Sequence, residues 1–282
     1  MDSGLVSIMN IDGKTKITGI IGWPIGHTLS PVMHNAAYAN ISLNYCYVPF
    51  PVSPGALGEA VQSIRALNIR GMNVTIPHKE NVMAYLDEID PEASFIGAVN
   101  TIVNAEGRLI GYNTDGKGFL RSLSENAVRP SGKNVLIIGA GGAARAVGYS
   151  LVRKAKFISV YGRTKMRVQS LVRDLSSVRN TVSCCEDLSE AGKYHIIINA
   201  TPLGLRADDP FPLDTSFLRP GQIVYDLIYK KTRLFEQAAK KDCVAINGLG
   251  MLLWQGALAF KLWTGRNPDV EVMRKALLHA IK

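Results

Sequence analysis

Asn134-Val135-Leu136-Ile137-Ile138-Gly139-Ala140-Gly141-Gly142-Ala143-Ala144-Arg145 is the stretch on which the reading of this fold turns. Its opening run is apolar without alternation, which suits a central strand of a parallel sheet covered on both faces. Gly139 then permits a tight strand-to-helix turn, and Gly141 lets backbone amides come close to a pyrophosphate. That group would sit at the positive end of a helix reaching to about Lys154, with Ala144 as the third small residue. A glycine loop alone is a weak signal, but an apolar strand before it and a helix after it are the context a dinucleotide site requires. Gly139, Gly141, Gly142 and Ala143 are therefore the predicted phosphate contacts.

The next strand, Phe157–Tyr161, runs into Gly162-Arg163-Thr164-Lys165-Met166-Arg167. An NAD site places an acid about 20 residues past its glycine loop, where it accepts from the ribose 2′-hydroxyl. No carboxylate stands there. Arg163, Thr164 and Arg167 suit instead the dianionic 2′-phosphate of NADP(H), which an acid would repel. The competing reading is a solvated basic helix start. Further apolar strands at His195–Asn199, Ile223–Asp226 and Val244–Ile246 complete a doubly wound, Rossmann-type sheet.

Ahead of this half the chain is also α/β. Residues 1–15 read as a loose polar end. Strands are predicted at Ile17–Gly22, Tyr45–Phe50 and Gly71–Ile76, with helices at Pro31–Ala39, Gly55–Leu67 and His78–Leu86. Ala98–Val103 and Leu109–Tyr112 flank a hairpin-like connection, Asn104-Ala105-Glu106-Gly107. A helical stretch over Gly118–Leu123 and a polar linker, Glu125–Gly132, follow, with the domain boundary near Asp115. The last two helices, Met251–Trp263 and Val270–Ala280, either cap the second sheet or cross back to the first domain. The crossing is preferred because Gln255 then faces a cleft. The expectation is an N-terminal α/β substrate domain (1–114 with 249–282) plus a dinucleotide-binding domain (115–248), with the cleft between them.

The first half holds the candidate substrate groups. Ser30 before Pro31 reads as a helix N-cap with proline in the first helical position. Thr28 adds a second hydroxyl, and with the helix dipole the pair would bind a carboxylate; a plain cap explains Ser30 equally well. Asn73-Val74-Thr75-Ile76-Pro77-His78-Lys79 places a lysine in a first helical turn, where the dipole disfavours it. Such an amine can donate a proton to a developing alkoxide. Asp115, within Tyr112-Asn113-Thr114-Asp115-Gly116, either holds that amine or serves as an ordinary turn or cap residue.

Composition narrows the rest. A chain of 282 residues, 47% hydrophobic, can bury two cores. No window approaches a membrane span, and no secretory signal opens the chain, so a cytoplasmic location is expected. The net charge of +9 is spread in short pairs without a long basic run, which favours attraction of acidic metabolites over nucleic-acid binding. Cys46, Cys184, Cys185 and Cys243 lack metal-ligand spacing, so no metal is expected. Cys184 and Cys185 read as filler in or near a strand.

These motifs together resemble the shikimate dehydrogenase family, in register from Lys16 to the C-terminus. The matching segments are Gly26–Pro31, Asn73–Lys79, Gly97–Thr101, Asn113–Gly116, Gly139–Arg145, Gly162–Arg167, Asn199–Gly204, Tyr225–Tyr229 and Asn247–Met251 with Gln255. The resemblance implies NADPH-dependent reduction of 3-dehydroshikimate to shikimate in aromatic amino-acid biosynthesis. It implies that Thr28 and Ser30 hold the carboxylate, that Thr75, Asn100, Asp115 and Gln255 hold ring hydroxyls, and that Tyr229 lies near the carboxylate. Lys79 and Asp115 would be the catalytic pair. Asn199, Ala200, Thr201 and Gly250 would line the nicotinamide pocket with Met251 beside it, and Arg163, Thr164 and Arg167 would hold the 2′-phosphate. The chain departs from the family pattern in three places. Thr28 stands where serine is usual, Gly162 where asparagine is common, and the stretch after Tyr229 is short. A broader quinate/shikimate dehydrogenase using NAD or NADP, and a non-catalytic ligand sensor, are the alternatives; a folate-type or tRNA-linked reductase would leave the hydroxyl set unexplained. A homodimer is the candidate assembly.

Overall fold

A computed structural model describes residues 11–281, so the expected loose end over residues 1–15 lies largely outside the described residues. The chain divides into two compact units. One runs to Ser94, takes in Ala98–Thr114 and resumes at Gly256; the other comprises Phe95–Gly97 and Asp115–Gln255.

The first unit contains β1 (Lys16–Gly22), α1 (Ser30–Asn40), β2 (Tyr45–Pro51), α2 (Leu57–Ala66), β3 (Gly71–Val74), β4 (Glu88–Ile89), the start of α3 (Pro91–Ile96), β5 (Thr101–Ala105) and β6 (Arg108–Tyr112). Its sheet is mixed, in the order β2-β1-β3-β5-β6-β4, with β5 antiparallel to both β3 and β6. Register sets Asn73 opposite Thr101, which brings two polar side chains together inside an otherwise apolar layer. One face of the sheet is closed by Val61, Ile64, Met72, Val74 and Ile102. Elsewhere in this unit the fully buried Trp263 donates from Nε1 to Ile102 O at 2.9 Å. Gly71 makes that approach possible, since a Cβ there would lie 2.1 Å from the indole nitrogen.

The second unit opens with α4 (Asp115–Glu125). It continues through β7 (Asn134–Ile138), α5 (Gly142–Val152), β8 (Phe157–Tyr161), α6 (Lys165–Val178), β9 (Val182–Cys184), β10 (Ile196–Asn199), β11 (Ile223–Asp226), α7 (Arg233–Lys240) and β12 (Val244–Asn247). All six strands are parallel, in the order β12-β11-β10-β7-β8-β9. This is the doubly wound arrangement expected from the sequence, with β7 at the point where the winding reverses. Val135 and Ile137 feed one core and Leu136 and Ile138 the other, which is why the β7 run had to be apolar throughout. Finally α8 (Leu249–Thr264) passes the division of the chain at Gln255, and α9 (Val270–Ala280) packs on α1 in the first unit.

Several local expectations need correction. The strand predicted to reach Ile76 stops at Val74, and no α-helix covers His78–Leu86: Lys79 lies in a turn, followed by a short three-ten helix at Asn81–Tyr85. The helix predicted from Gly55 begins as a three-ten turn at Pro54–Ala56. Helices α3, α6 and α7 are not delimited by the sequence pattern. Among the described residues no helix is long and apolar enough to cross a membrane.

Candidate active site

In the first unit a buried polar network lies between α1 and the β3–β5 ladder. Ser30 is the first residue of α1, not its cap: Leu29 occupies the N-cap and no side chain caps the helix. The hydroxyl of Thr28 instead accepts from Ser30 N at 3.3 Å, holding the two hydroxyl residues together at the amide end of the helix. That end carries partial positive charge and suits a carboxylate. Ser30 is buried and hydrogen-bonds to the Tyr47 phenol, which in turn donates to Asn73 Oδ1 at 2.8 Å. Burial raises the Tyr47 phenol well above its ordinary pKa, so it remains a donor. Asn73 Nδ2 donates onward to Asn100 O and Thr101 Oγ1, both at 3.1 Å. Tyr47, Asn73 and Thr101 belong to this network and are not singled out by sequence reasoning; a lone asparagine in the apolar stretch Gly71–Val74 is the available signal.

The turn carrying Lys79 is fixed by its backbone. His78 N donates to Thr75 O at 2.9 Å, and the buried His78 ring makes a 2.7 Å contact from Nε2 to Val52 O. Val99 N then donates to Lys79 O at 2.8 Å. The next residue, Asn100, clasps Thr114: Nδ2 donates to Thr114 Oγ1 at 2.9 Å and Oδ1 accepts from Thr114 N at 2.8 Å. Residues 99 and 100 thus hold the Lys79 turn on one hand and the residue before Asp115 on the other. Asp115 is buried at the head of α4, where an acid suits the dipole.

In the second unit the glycine loop packs closely on the chain after β10. Gly139 has φ +122°, and a Cβ there would lie 2.9 Å from Ala200 O. Gly141 is the extended N-cap of α5, again without a side-chain cap, so the amides of Gly142 and Ala143 head an uncapped helix. Arg145, from the first turn of α5, bonds Ile96 O and pairs with Asp174 Oδ2 at 2.7 Å. Arg163, Thr164 and Arg167 are exposed around the start of α6, whose N-cap Thr164 makes no side-chain cap bond. These features fit NADP(H): small residues where its phosphates pass, uncapped amides, and two arginines at the ribose end.

A cavity of about 530 Å³ adjoins this end, lined by Gly162, Arg163, Lys165, Thr201 and Phe211 among others. It also contains Glu186, which the sequence alone does not place there because it lies far from the glycine loop in the chain.

Behind the loop at 199–204 lies a network with no clear signature in the sequence. Asp226 ends β11 fully buried; its Oδ1 accepts from Asn199 Nδ2 at 3.0 Å and Ile228 N at 3.1 Å, and its Oδ2 accepts from Thr232 Oγ1 at 2.5 Å. Burial raises the carboxyl pKa, and these three donors oppose that shift. Asn199 Oδ1 accepts from Thr201 N at 3.1 Å and Thr201 Oγ1 at 2.6 Å. The Asn199 side chain is therefore engaged in shaping the loop. Tyr229 stands half-buried in the same turn, its phenol pKa raised by burial. Gly250 packs α8 on α4, for a Cβ there would lie 2.4 Å from Ser122 Oγ, and Met251 is buried in the core. Gln255 is buried, donating to Leu252 O at 2.8 Å, and its backbone lies against Gly118.

Comparison with known proteins follows the same division. Residues 20–102 match the shikimate dehydrogenase substrate binding domain, residues 122–203 the shikimate/quinate 5-dehydrogenase model, and residues 248–278 the shikimate 5′-dehydrogenase C-terminal domain. The chain is 46% identical over 277 residues to a shikimate dehydrogenase (NADP+) of Carboxydothermus hydrogenoformans, covering 95% of this chain and 99% of that one. It is similar to a shikimate dehydrogenase solved in complex with NADP+, with TM-score 0.90, 43% identity and 97% and 98% of the two chains covered. It also resembles the Thermus thermophilus shikimate 5-dehydrogenase in complex with NADP(H) and shikimate, with TM-score 0.86, 36% identity and coverage of 94% and 100%.

Proposed function

The chain belongs to the shikimate dehydrogenase family, and from that premise we propose that it interconverts 3-dehydroshikimate and shikimate with NADP(H) as redox partner. Thr28 and Ser30, at the amide end of α1, hold the substrate carboxylate, with Tyr229 close to it. Thr75, Asn100, Asp115 and Gln255 take the ring hydroxyls. Bound NADPH supplies the hydride to the C3 carbonyl carbon. Lys79 gives its proton to the oxygen as the carbonyl pair becomes the alcohol's O–H bond, and recovers a proton from solvent. Asp115 aims the ammonium at that oxygen. Oxidation reverses each step.

On the cofactor side, the amides at Gly141, Gly142 and Ala143 receive the pyrophosphate. Arg163, Thr164 and Arg167 would hold the 2′-phosphate, and Asn199, Ala200, Thr201 and Gly250 would line the nicotinamide pocket, with Met251 packing nearby. A reducing, cytoplasmic setting suits the four free thiols.

The observation that carries this reading is the likeness over nearly the whole chain to shikimate dehydrogenases, one of them solved with NADP(H) and shikimate, and within the first unit the ties at residues 99 and 100 support it by fixing the Lys79 turn and Thr114. Its test is product formation: purified protein, 3-dehydroshikimate and NADPH should yield shikimate and NADP+ in equal amounts. Cofactor oxidation without shikimate, or no reaction at all, would overturn it.

A further inference from the structure

We propose that Glu186 reads the base of the cofactor, accepting a hydrogen bond from the exocyclic amine of adenine and so selecting adenine over bases that present an oxygen there. The inference rests on the NADP reading of the second unit and adds a specificity residue to it.

The end of β9 brings this carboxylate to the cavity. Val160 of β8 pairs with Cys184 of β9, and Cys185 N donates to Val160 O at 2.8 Å, so β9 ends against Val160 with Glu186 two residues further on. Glu186 then shares one cavity lining with Gly162 and Arg163, which follow Val160 two and three residues on. Alternation fixes the face: Cys184 packs against the core shared with α5 and α6, whereas Cys185 enters the opposite core. Glu186, two residues after Cys184, returns to the α6 side, where Arg163 and Lys165 stand.

Charge then divides the cavity. Glu186 is the only carboxylate among the residues lining it, and Arg163 and Lys165 are the cations. A 2′-phosphate takes the cations and is repelled by the acid. The acid therefore meets the part of the ligand that carries a donor and no negative charge. The same lining carries Val168, Leu203, Phe211 and Pro212, which offer apolar walls for a flat ring. Adenine presents apolar faces and an amine at its far edge; hypoxanthine presents a carbonyl oxygen at the same position, which would oppose a carboxylate directly. An ionised acceptor makes that difference large, because an unmatched charged group gains nothing to offset its lost water.

The test measures dissociation constants for NADPH and for reduced nicotinamide hypoxanthine dinucleotide phosphate, by cofactor fluorescence, on the wild-type protein, Glu186→Gln and Glu186→Ala. The wild type should bind NADPH about tenfold or more tightly than the analogue. Glu186→Gln, whose amide can donate to the carbonyl, should narrow that preference to within about threefold, and Glu186→Ala should lose it by weakening NADPH alone. Equal binding of both cofactors by the wild type overturns the proposal. So does a base preference that survives Glu186→Gln, or an equal weakening of both cofactors, which would put the carboxylate on the ribose. Binding of NADPH without turnover of 3-dehydroshikimate would sink the substrate assignment and leave the base assignment standing; failure to bind NADPH would sink both.

Discussion

The chemistry proposed for this protein is assigned to a few side chains whose surroundings differ sharply. Lys79 has the demanding role, since the proposed reaction turns on the proton it gives. Lys79→Ala should lower turnover by about two to four orders of magnitude while moving the substrate KM far less, as read by steady-state kinetics; near-normal turnover would remove it from the reaction. Arg163→Ala combined with Arg167→Ala should raise KM for NADP selectively, and an equal loss with NAD would contradict the phosphate assignment. His34 is a structural case. It is wholly buried, stacked on Tyr47 with ring centroids 4.4 Å apart, and neither ring nitrogen has a hydrogen-bond partner among the described residues. Burial pushes its pKa down to about 3 from an ordinary 6.5. The folded state therefore refuses a proton that the unfolded chain accepts, and stability falls as pH drops from about 6.5 toward 3, by at most about 1.4 kcal/mol per unit from this group. Urea unfolding at pH 7 and pH 4.5 should show a smaller acid loss in His34→Phe than in wild type; equal losses would contradict this.

Elements differ in how openly the sequence declares them. β7, its glycine loop and α5 were legible because three independent requirements coincide there: burial on both faces, a positive φ at Gly139, and helix-forming residues after it. The basic start of α6 was visible, but the extent of that helix was not, since only Val168, Leu171 and Leu175 of its 14 residues are buried and polar side chains dominate its pattern. The Lys79 turn reads as helix because Val82, Met83 and Leu86 mimic helical spacing, while the actual constraint, the Val99–Lys79 bond, comes from a distant part of the chain. Asp226 was hidden for the same reason. An acid ending an apolar strand gives no hint that it joins the ends of β10 and β11 and the cap of α7. Asp226→Asn keeps the shape but supplies one acceptor oxygen for three donors, at a cost of about 1–3 kcal/mol. We expect a lower melting temperature and a raised KM for NADPH with a smaller change in KM for shikimate. An unchanged NADPH KM would show that the network does not hold the cofactor loop.

Across the whole molecule, the division of labour between an N-terminal substrate unit and a doubly wound cofactor unit could be read from the order of motifs along the chain. What could not be read was the buried hydrogen bonding within each unit, which links residues well separated in sequence: 26 positions from Tyr47 to Asn73, and 28 from Asn73 to Thr101. On the proposed reading this wiring underlies the substrate unit's selectivity, with a hydroxyl pair at a helix start for one carboxylate and amide and threonine groups for ring hydroxyls. On that reading Thr28, carrying a methyl that serine lacks, narrows the carboxylate pocket, which bears on shikimate against its saturated relative quinate. The most direct measurement is therefore kcat/KM for shikimate and for quinate, each with NADP and with NAD, on the purified protein. Shikimate with NADP should exceed every other combination by at least about tenfold, the margin expected when one charged or hydrogen-bonded contact is lost. Quinate or NAD serving equally well would contradict the assignment of the hydroxyl set or of the arginines.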